Sequence, residues 1–244
     1  MGKGFWELFG DSISEYGSKF VIILKTFLFL YLIPFVIFGL VIWGVLSANL
    51  GGKSSALDLI ASEGGIQGIF NIAFGNWAAM GAMIVLFIVI FLLAIVFIVL
   101  LYSSFINISF AKDGKIGFKK VFNTSKKYFW KYLGLGIVLA ILLTILYLLL
   151  VIPGIIFTVY WAFAAFILIK ENVNIGESMK RSKALVRGKW WRVFGYLLLV
   201  YIIYFIVAFV VGFIPIFADL VSMLVLTPFV VIFLKNFYLE LKTK

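Results

Sequence analysis

The chain has 244 residues, of which 65% are hydrophobic and only 13% are charged, and its formal net charge is +11. Charged residues make up about a quarter of a typical soluble domain, so this composition predicts an integral membrane protein. The sequence contains neither Cys nor His. It therefore excludes disulfides, thiolate nucleophiles and imidazole bases or ligands.

Six apolar segments are predicted to cross a membrane as helices, since about 20 apolar residues span the hydrocarbon core. In chain order the segments are 21–46, 82–102, 133–151, 155–169, 193–213 and 216–234. Proline and glycine end helices and favour tight turns. Pro153 and Gly154 between the third and fourth segments, and Pro215 between the fifth and sixth, are therefore predicted to form the turns of two helical hairpins.

The first two spans are joined by a long segment, residues 47–80. It contains the apolar run GGIQGIFNIAFGNWAAMG, whose stretch between glycines is too short to cross a bilayer. We expect this run to lie on the outer membrane surface or to dip into it. A cap over a central cavity is the alternative interpretation.

The orientation of the chain follows from its basic residues. Of the 21 Lys and Arg residues, Lys53 alone falls on the side opposite to the others. Short cytoplasmic loops carry an excess of Lys and Arg. Both termini and both large basic loops are therefore predicted to face the cytoplasm, which agrees with an even number of spans.

An internal repeat of about 60 residues links the two basic loops. IGFKKVFNTSKKYFWKYLG and IGESMKRSKALVRGKWWRVFG both begin Ile-Gly, carry a Ser among basic residues and end with an aromatic-basic entry into a span. In each loop one helical face is marked by residues at intervals of three and four, and basic residues lie opposite. The residues of this face are Phe118, Phe122, Ser125, Phe129 and Tyr132 in the first loop, and Ile175, Met179, Ser182, Val186 and Trp190 in the second. This pattern predicts amphipathic helices over 117–131 and 176–190, lying in the cytoplasmic interface.

The N-terminus shows a fainter copy of this pattern. Phe5, Phe9, Ile13, Tyr16 and Phe20 share a predicted face. The predicted architecture is thus an all-α polytopic membrane protein, with six transmembrane helices arranged as three hairpins, each preceded by an amphipathic interfacial helix. It forms a single membrane domain with repeat-like units at 1–111, 112–170 and 171–244.

The basic helices are the strongest functional feature of the sequence. Each Lys or Arg near an anionic surface contributes about 1 kcal/mol of attraction, and Trp favours headgroup depth. The simpler interpretation is that these residues only anchor the topology; the functional one is recognition of anionic lipid headgroups or of an acidic partner. The candidate lipid residues are Lys119, Lys120, Lys126, Lys127, Lys180, Arg181, Lys183, Arg187, Trp190 and Trp191.

Other kinds of site find little support. Ionisable residues within the spans, the usual mark of a transporter, are scarce, and Lys25 and Lys235 are predicted to snorkel to the interface. The ten acidic residues are scattered. The sequence therefore predicts no catalytic site, no metal, no cofactor and no nucleic-acid partner.

The segment from about Pro153 to Gly195 resembles the membrane domain of prokaryotic glycerophosphoryl diester phosphodiesterases and related six-helix membrane proteins. The match lies in a Pro-Gly turn, an acidic residue ending a span, and a basic helix followed by Gly and an aromatic-basic entry. The matching residues are Glu171, Glu177, Arg181, Ser182, Leu185, Gly188 and Trp191, with Pro228 and Tyr238 near the end of the chain. The phosphodiesterase domain itself is absent, so the resemblance implies a fold and location in a prokaryotic membrane, but no activity.

The sequence as a whole predicts a non-enzymatic protein of the cytoplasmic membrane. Its expected role is in membrane or lipid homeostasis, or as a membrane-embedded partner or anchor that contacts anionic lipid. Two alternatives remain: a transporter or scramblase of a lipid or small amphipathic substrate, and a structural domain that once anchored a lost enzyme.

Overall fold

The structure is a computed structural model that describes residues 2–49, 77–111, 117–213 and 220–243. This part of the chain is helical and contains no strand, which confirms the all-α prediction. The helices are α1 (Phe5–Phe27), α2 (Ile33–Asn49), α3 (Trp77–Ser109), α4 (Phe118–Leu149), α5 (Val151–Trp161), α6 (Ala164–Lys170), α7 (Ile175–Val186), α8 (Trp190–Gly212) and α9 (Thr227–Lys242), with π-helical turns at Leu28–Leu32 and Ser222–Leu226.

Six helical stretches within the described ranges are long and apolar enough to cross a membrane, which confirms the predicted number. They are Phe5–Leu40, Ile84–Ser109, Phe118–Leu149, Val151–Lys170, Trp190–Gly212 and Ser222–Lys242. Most of the predicted 47–80 segment, and Pro215 with its turn, lie outside the described residues.

Contacts between helices group the chain into two compact units, Met1–Leu28 with Val99–Lys244, and Phe29–Ile98. The three predicted repeat units follow sequence similarity instead of contacts, and they stay a prediction. In the smaller unit, Tyr31 stacks on Phe35 and the Phe38 ring meets Phe97 edge-on. Aromatic packing thus joins the two helical stretches of this unit.

The core of the larger unit is built around its last helix, α9. In the apolar window of Ser222–Lys242, 61% of the residues are buried, against 6% in that of α4. Rings from several helices surround α9: Phe5 of α1 packs against Phe233, and Tyr196 of α8 stacks on Phe237. α9 is therefore the central helix of this unit, and its polar residues lie inside the bundle.

Both π-helical turns precede a proline by two residues, at Pro34 and Pro228. Proline has no N–H and its ring clashes with the carbonyl four residues earlier, so a wider turn relieves the clash. Pro228 leaves the carbonyl of Leu224 without its usual helical donor. The Tyr16 hydroxyl of α1 donates to that carbonyl at 3.1 Å, so the proline creates a contact between helices.

The predicted hairpin of the third and fourth spans exists, but its turn lies earlier in the chain than Pro153 and Gly154 predicted. The single extended residue between α4 and α5 is Leu150 (φ −157°, ψ 132°), so Pro153 and Gly154 lie within the first turn of α5. Proline fits there because the first N–H groups of a helix have no internal partner. A Cβ on Gly154 would come within 2.5 Å of the Tyr147 ring, so this glycine allows the two helices of the hairpin to approach closely.

The amphipathic segments are helical, but they join their spans in two ways. In α1 and α4 the amphipathic part continues into the apolar part without a break. α7 is a separate helix: the Asn174 side chain accepts from the Glu177 N–H at its start, and Gly188 with φ +80° follows its end. Glycine is favoured in that left-handed conformation, so the sharp turn between α7 and α8 depends on Gly188.

The face that α1 packs against the bundle differs from the face that its apolar residues predicted. Phe5, Leu8 and Ser12 are buried, whereas Ile13 and Phe20 are exposed. Ser12 was not among the residues of the predicted face. The buried serine accepts a hydrogen bond from the Asn236 side chain at 3.1 Å, so polar pairing sets the rotation of α1.

Candidate functional site

The four lysines predicted on the first basic helix lie on the N-terminal part of α4, and all of them are exposed. Lys119, Lys120 and Lys127 line one surface depression of about 540 Å³, together with Asn123. Lys126 is not among the residues that line it. Val121 and Ser125, on the opposite side of the helix, are fully buried. This face therefore presents positive charge at the surface while the other side of α4 packs inward.

The basic residues of α7 and Arg187, which follows its last residue, have different surroundings from one another. Lys180 and Arg187 are exposed, and among the described residues neither forms a salt bridge. Lys183 Nζ lies 5.4 Å from the ring centroid of Phe157 and 5.6 Å from that of Tyr160. Arg181 is engaged, since its guanidinium pairs with carboxylates on both α7 and the end of α6.

The two predicted tryptophans line an apolar groove between α5 and α8. Trp190 is half-buried, stacks on Phe194, and its Nε1 donates to the Ile156 carbonyl at 3.4 Å. Trp191 is 79% exposed. The groove has a volume of about 470 Å³, and its lining residues are Ile152, Ile155, Ile156, Tyr160, Trp190 and Trp191. Tyr160 lines the groove and also contacts Lys183, so a positive charge lies next to one of the rings that line this apolar groove.

Glu171, which ends α6, joins three helices through one carboxylate. It accepts hydrogen bonds from Tyr238 and Lys242 of α9, at 2.9 and 2.8 Å, and from Arg181 of α7. The hydrogen bond from Lys242, and those from Arg181 and Tyr238, lower the pKa of Glu171 to about 2 despite opposition from its partial burial. Glu171, Arg181 and Tyr238 are three of the residues on which the sequence resemblance was based, and the structure brings them together.

The pKa of Glu171 predicts an acid-dependent loss of stability. A carboxylate with a lowered pKa stabilises the folded state above its unfolded pKa, near 4.5, and loses that contribution as the pH falls toward about 2. We expect the thermal stability of the purified protein to fall over this range. The Glu171→Gln variant should be less stable than the parent at neutral pH, by about 1–3 kcal/mol. Its stability should also depend less on pH over this acid range. Parallel pH curves for parent and variant would contradict the assignment.

The fourth span is interrupted at Ala162 and Phe163, and a serine from α7 closes the break. The Ser182 hydroxyl donates to the Tyr160 carbonyl at 2.7 Å and accepts from the Phe163 N–H at 3.2 Å. Ser182 is fully buried. The periodicity of the sequence placed Ser182 correctly on the inward face of its helix, but it contained no sign of the interrupted span that the serine pairs with.

A second polar site, which we call the lysine cavity, was missed by the sequence. It lies among α1, α6, α9 and the end of α3 and has a volume of about 580 Å³. Its charged lining residues are Glu15, Lys19, Lys170 and Lys235. Lys235 does not snorkel as predicted: it is buried, and its Nζ lies 2.6 and 2.7 Å from the two carboxylate oxygens of Glu15.

The remaining contacts of the lysine cavity are made by its three lysines. Lys19 Nζ donates to Glu15 at 2.6 Å and to the Ser109 carbonyl at the end of α3 at 2.8 Å. Lys235 also donates to the Asn236 side chain at 2.7 Å. The exposed Lys170 lies over the Phe110 ring, with Nζ 5.1 Å from its centroid. The cavity is therefore a positively charged pocket, and two of its lysines, Lys19 and Lys235, are buried.

The fold defines a class: a helical protein whose described residues include six helices of membrane-spanning length and composition. Residues 116–236, just under half of the chain, match the model of a family described as a domain of unknown function (DUF7847). The matched segment contains both basic faces, Glu171 and Ser182. No curated protein and no solved structure matches the chain. The resemblance to the phosphodiesterase membrane domain receives no support from these comparisons.

Proposed function

We propose that this chain is a multi-pass, non-enzymatic protein of the cytoplasmic membrane that binds anionic lipid at α7. The observation that carries the proposal is the position of Lys183 beside Tyr160, whose ring lines the same groove as Trp190 and Trp191. An anionic lipid combines a charged headgroup with an apolar chain, so a cation beside an apolar groove suits both of its parts. A role in lipid homeostasis or as a membrane-embedded partner would follow from such binding.

The lipid proposal predicts a loss of bound anionic lipid when the basic residues of the α7 segment that pair with no described carboxylate are neutralised. In the triple variant Lys180→Gln, Lys183→Gln and Arg187→Gln, retention of phosphatidylglycerol should fall by about tenfold, and the difference should shrink as salt rises. Arg181 is left in place because it holds Glu171. Native mass spectrometry of the protein purified from mixed lipids measures the retention.

The matched control keeps the charge of α7 and changes only the side chains. Lys180→Arg, Lys183→Arg and Arg187→Lys should retain lipid as the parent does. Equal retention by the glutamine variant and the parent at low salt would reduce the role of these residues to anchoring the topology.

The proposed orientation places the basic ends of α4 and α7 in the cytoplasm, on the strength of the distribution of Lys and Arg. Because the parent has no cysteine, single cysteines can test it. Asn123, Ala184 and Leu150 are exposed positions. An impermeant thiol reagent added to intact cells should label Leu150→Cys, and should label Asn123→Cys and Ala184→Cys only after permeabilisation. The opposite pattern would reverse the topology.

The alternative, a transporter or scramblase, predicts a polar groove open to the membrane. An interrupted span such as α5–α6 is a feature of many transporters, and it is the observation in favour of this alternative. Here, however, the Ser182 hydroxyl accepts a hydrogen bond from the Phe163 N–H at the interruption, and Phe163 itself is fully buried. Lipid binding is therefore the better-supported proposal, and a fluorescent-lipid scrambling assay in liposomes would detect the alternative directly.

A further inference from the structure

The lysine cavity carries more positive charge than its described walls neutralise. Lys19 is 3% exposed and Lys235 is 5% exposed, and both pair with the same carboxylate, Glu15. Lys170, which is exposed, adds a third ammonium to the lining. Among the described residues Glu15 is the one carboxylate that lines the cavity, so the walls carry an excess of two positive charges. Buried charge is costly unless it is paired, and this excess favours a bound anion.

The cavity also has hydrogen-bond donors to spare. An ammonium group carries three N–H donors. Lys19 uses two of them, on Glu15 and on the Ser109 carbonyl. Lys170 contacts a ring, and within the part of the chain that the structure describes no carboxylate pairs with it. Four N–H donors on these two lysines therefore have no acceptor among the residues that the structure describes.

We propose that the lysine cavity binds a phosphate group. A phosphate monoester carries about −1.5 to −2 charge at neutral pH and accepts several charge-assisted hydrogen bonds. It therefore matches both the excess charge and the available donors. The volume of about 580 Å³ leaves room for the group that carries the phosphate. Leu239, which is 39% exposed, also lines the cavity, so a soluble phosphate and a lipid headgroup both suit the site.

Binding of two probes to the purified protein in neutral detergent tests the proposal. Isothermal titration calorimetry with inorganic phosphate, and separately with short-chain phosphatidic acid, should show saturable binding to the parent. Lys170→Gln should weaken binding by about tenfold, because it removes a charge-assisted donor. Lys170 is exposed, so the variant should unfold at the parent temperature in phosphate-free buffer.

Two control variants make the result specific. Lys170→Arg keeps the charge and should bind nearly as the parent does. Lys25→Gln removes an exposed lysine of α1 that does not line the cavity, and should leave both affinities unchanged. Tighter binding of phosphatidic acid than of inorganic phosphate would assign the site to a lipid headgroup, and equal affinity would assign it to a soluble phosphate.

Three results would overturn the proposal. The first is that the parent binds neither probe. The second is that Lys170→Gln binds as tightly as the parent, and the third is that Lys25→Gln weakens binding as much as Lys170→Gln does. The site does not rest on lipid binding at α7, since Lys180, Lys183 and Arg187 are unchanged in all of these variants. Failure of one proposal is therefore distinguishable from failure of the other.

Discussion

Replacing Glu15 with Gln should destabilise the protein strongly, by about 3–5 kcal/mol. Glu15 pairs with both Lys19 and Lys235, whose ammonium groups are buried. Without its charge, two buried lysines remain with no carboxylate partner in the described walls of the cavity. The expected result is a large fall in the thermal unfolding temperature in detergent, with part of the protein lost to aggregation during purification.

A second glutamate of the same helix provides the matched control. The side chain of Glu7 is 58% exposed and lies 3.8 Å from Lys3. Exposed ion pairs contribute little, so Glu7→Gln should change stability by less than about 0.5 kcal/mol. Similar unfolding temperatures for Glu15→Gln and Glu7→Gln would show that the buried pairing does not stabilise the fold.

Replacing Ser182 with Ala should have the next largest effect, a loss of about 2–4 kcal/mol. The serine hydroxyl satisfies the Phe163 N–H and the Tyr160 carbonyl where the fourth span is interrupted. Alanine is smaller and leaves both backbone groups without this partner in a buried site. Thermal unfolding followed by tryptophan fluorescence measures the change.

Ser178 is the control for this prediction, because it is equally buried on the same helix. Its hydroxyl donates to the Ile175 carbonyl within α7. That carbonyl belongs to the same helix, so Ser178→Ala should cost less than about 1 kcal/mol. If the two alanine variants were equally stable, the hydrogen bonds across the interrupted span would contribute nothing beyond local packing.

Patterns of hydrophobicity predicted what depends on local sequence. The number of spans follows from long apolar runs, and the inward positions of Ser125, Ser182 and Val186 follow from intervals of three and four. The candidate lysines of α4 were likewise predicted on the exposed side, and they are exposed. These features need no knowledge of which helices are neighbours.

The lysine cavity could not be predicted in this way, because its pairing is not local. Glu15 and Lys235 lie at opposite ends of the chain, so the sequence alone left Lys235 to snorkel. The turn at Leu150 was missed for a related reason. Pro153 and Gly154 are turn-forming residues, but proline also suits the first turn of a helix, and Gly154 accommodates the Tyr147 ring.

The two basic helices differ in how motion at one end would reach the rest of the protein. α4 is a single unbroken helix of 32 residues, about 48 Å long at 1.5 Å per residue. It is therefore longer than a hydrocarbon core of about 30 Å is thick. We therefore expect a force on Lys119 or Lys120 to tilt the whole helix as far as Leu149. α7 meets α8 at the sharp turn of Gly188 and is bound to the interrupted span through Ser182 and to Glu171 through Arg181. We therefore expect a force on Lys180 to reach the bundle through these two side chains and not along the span that follows.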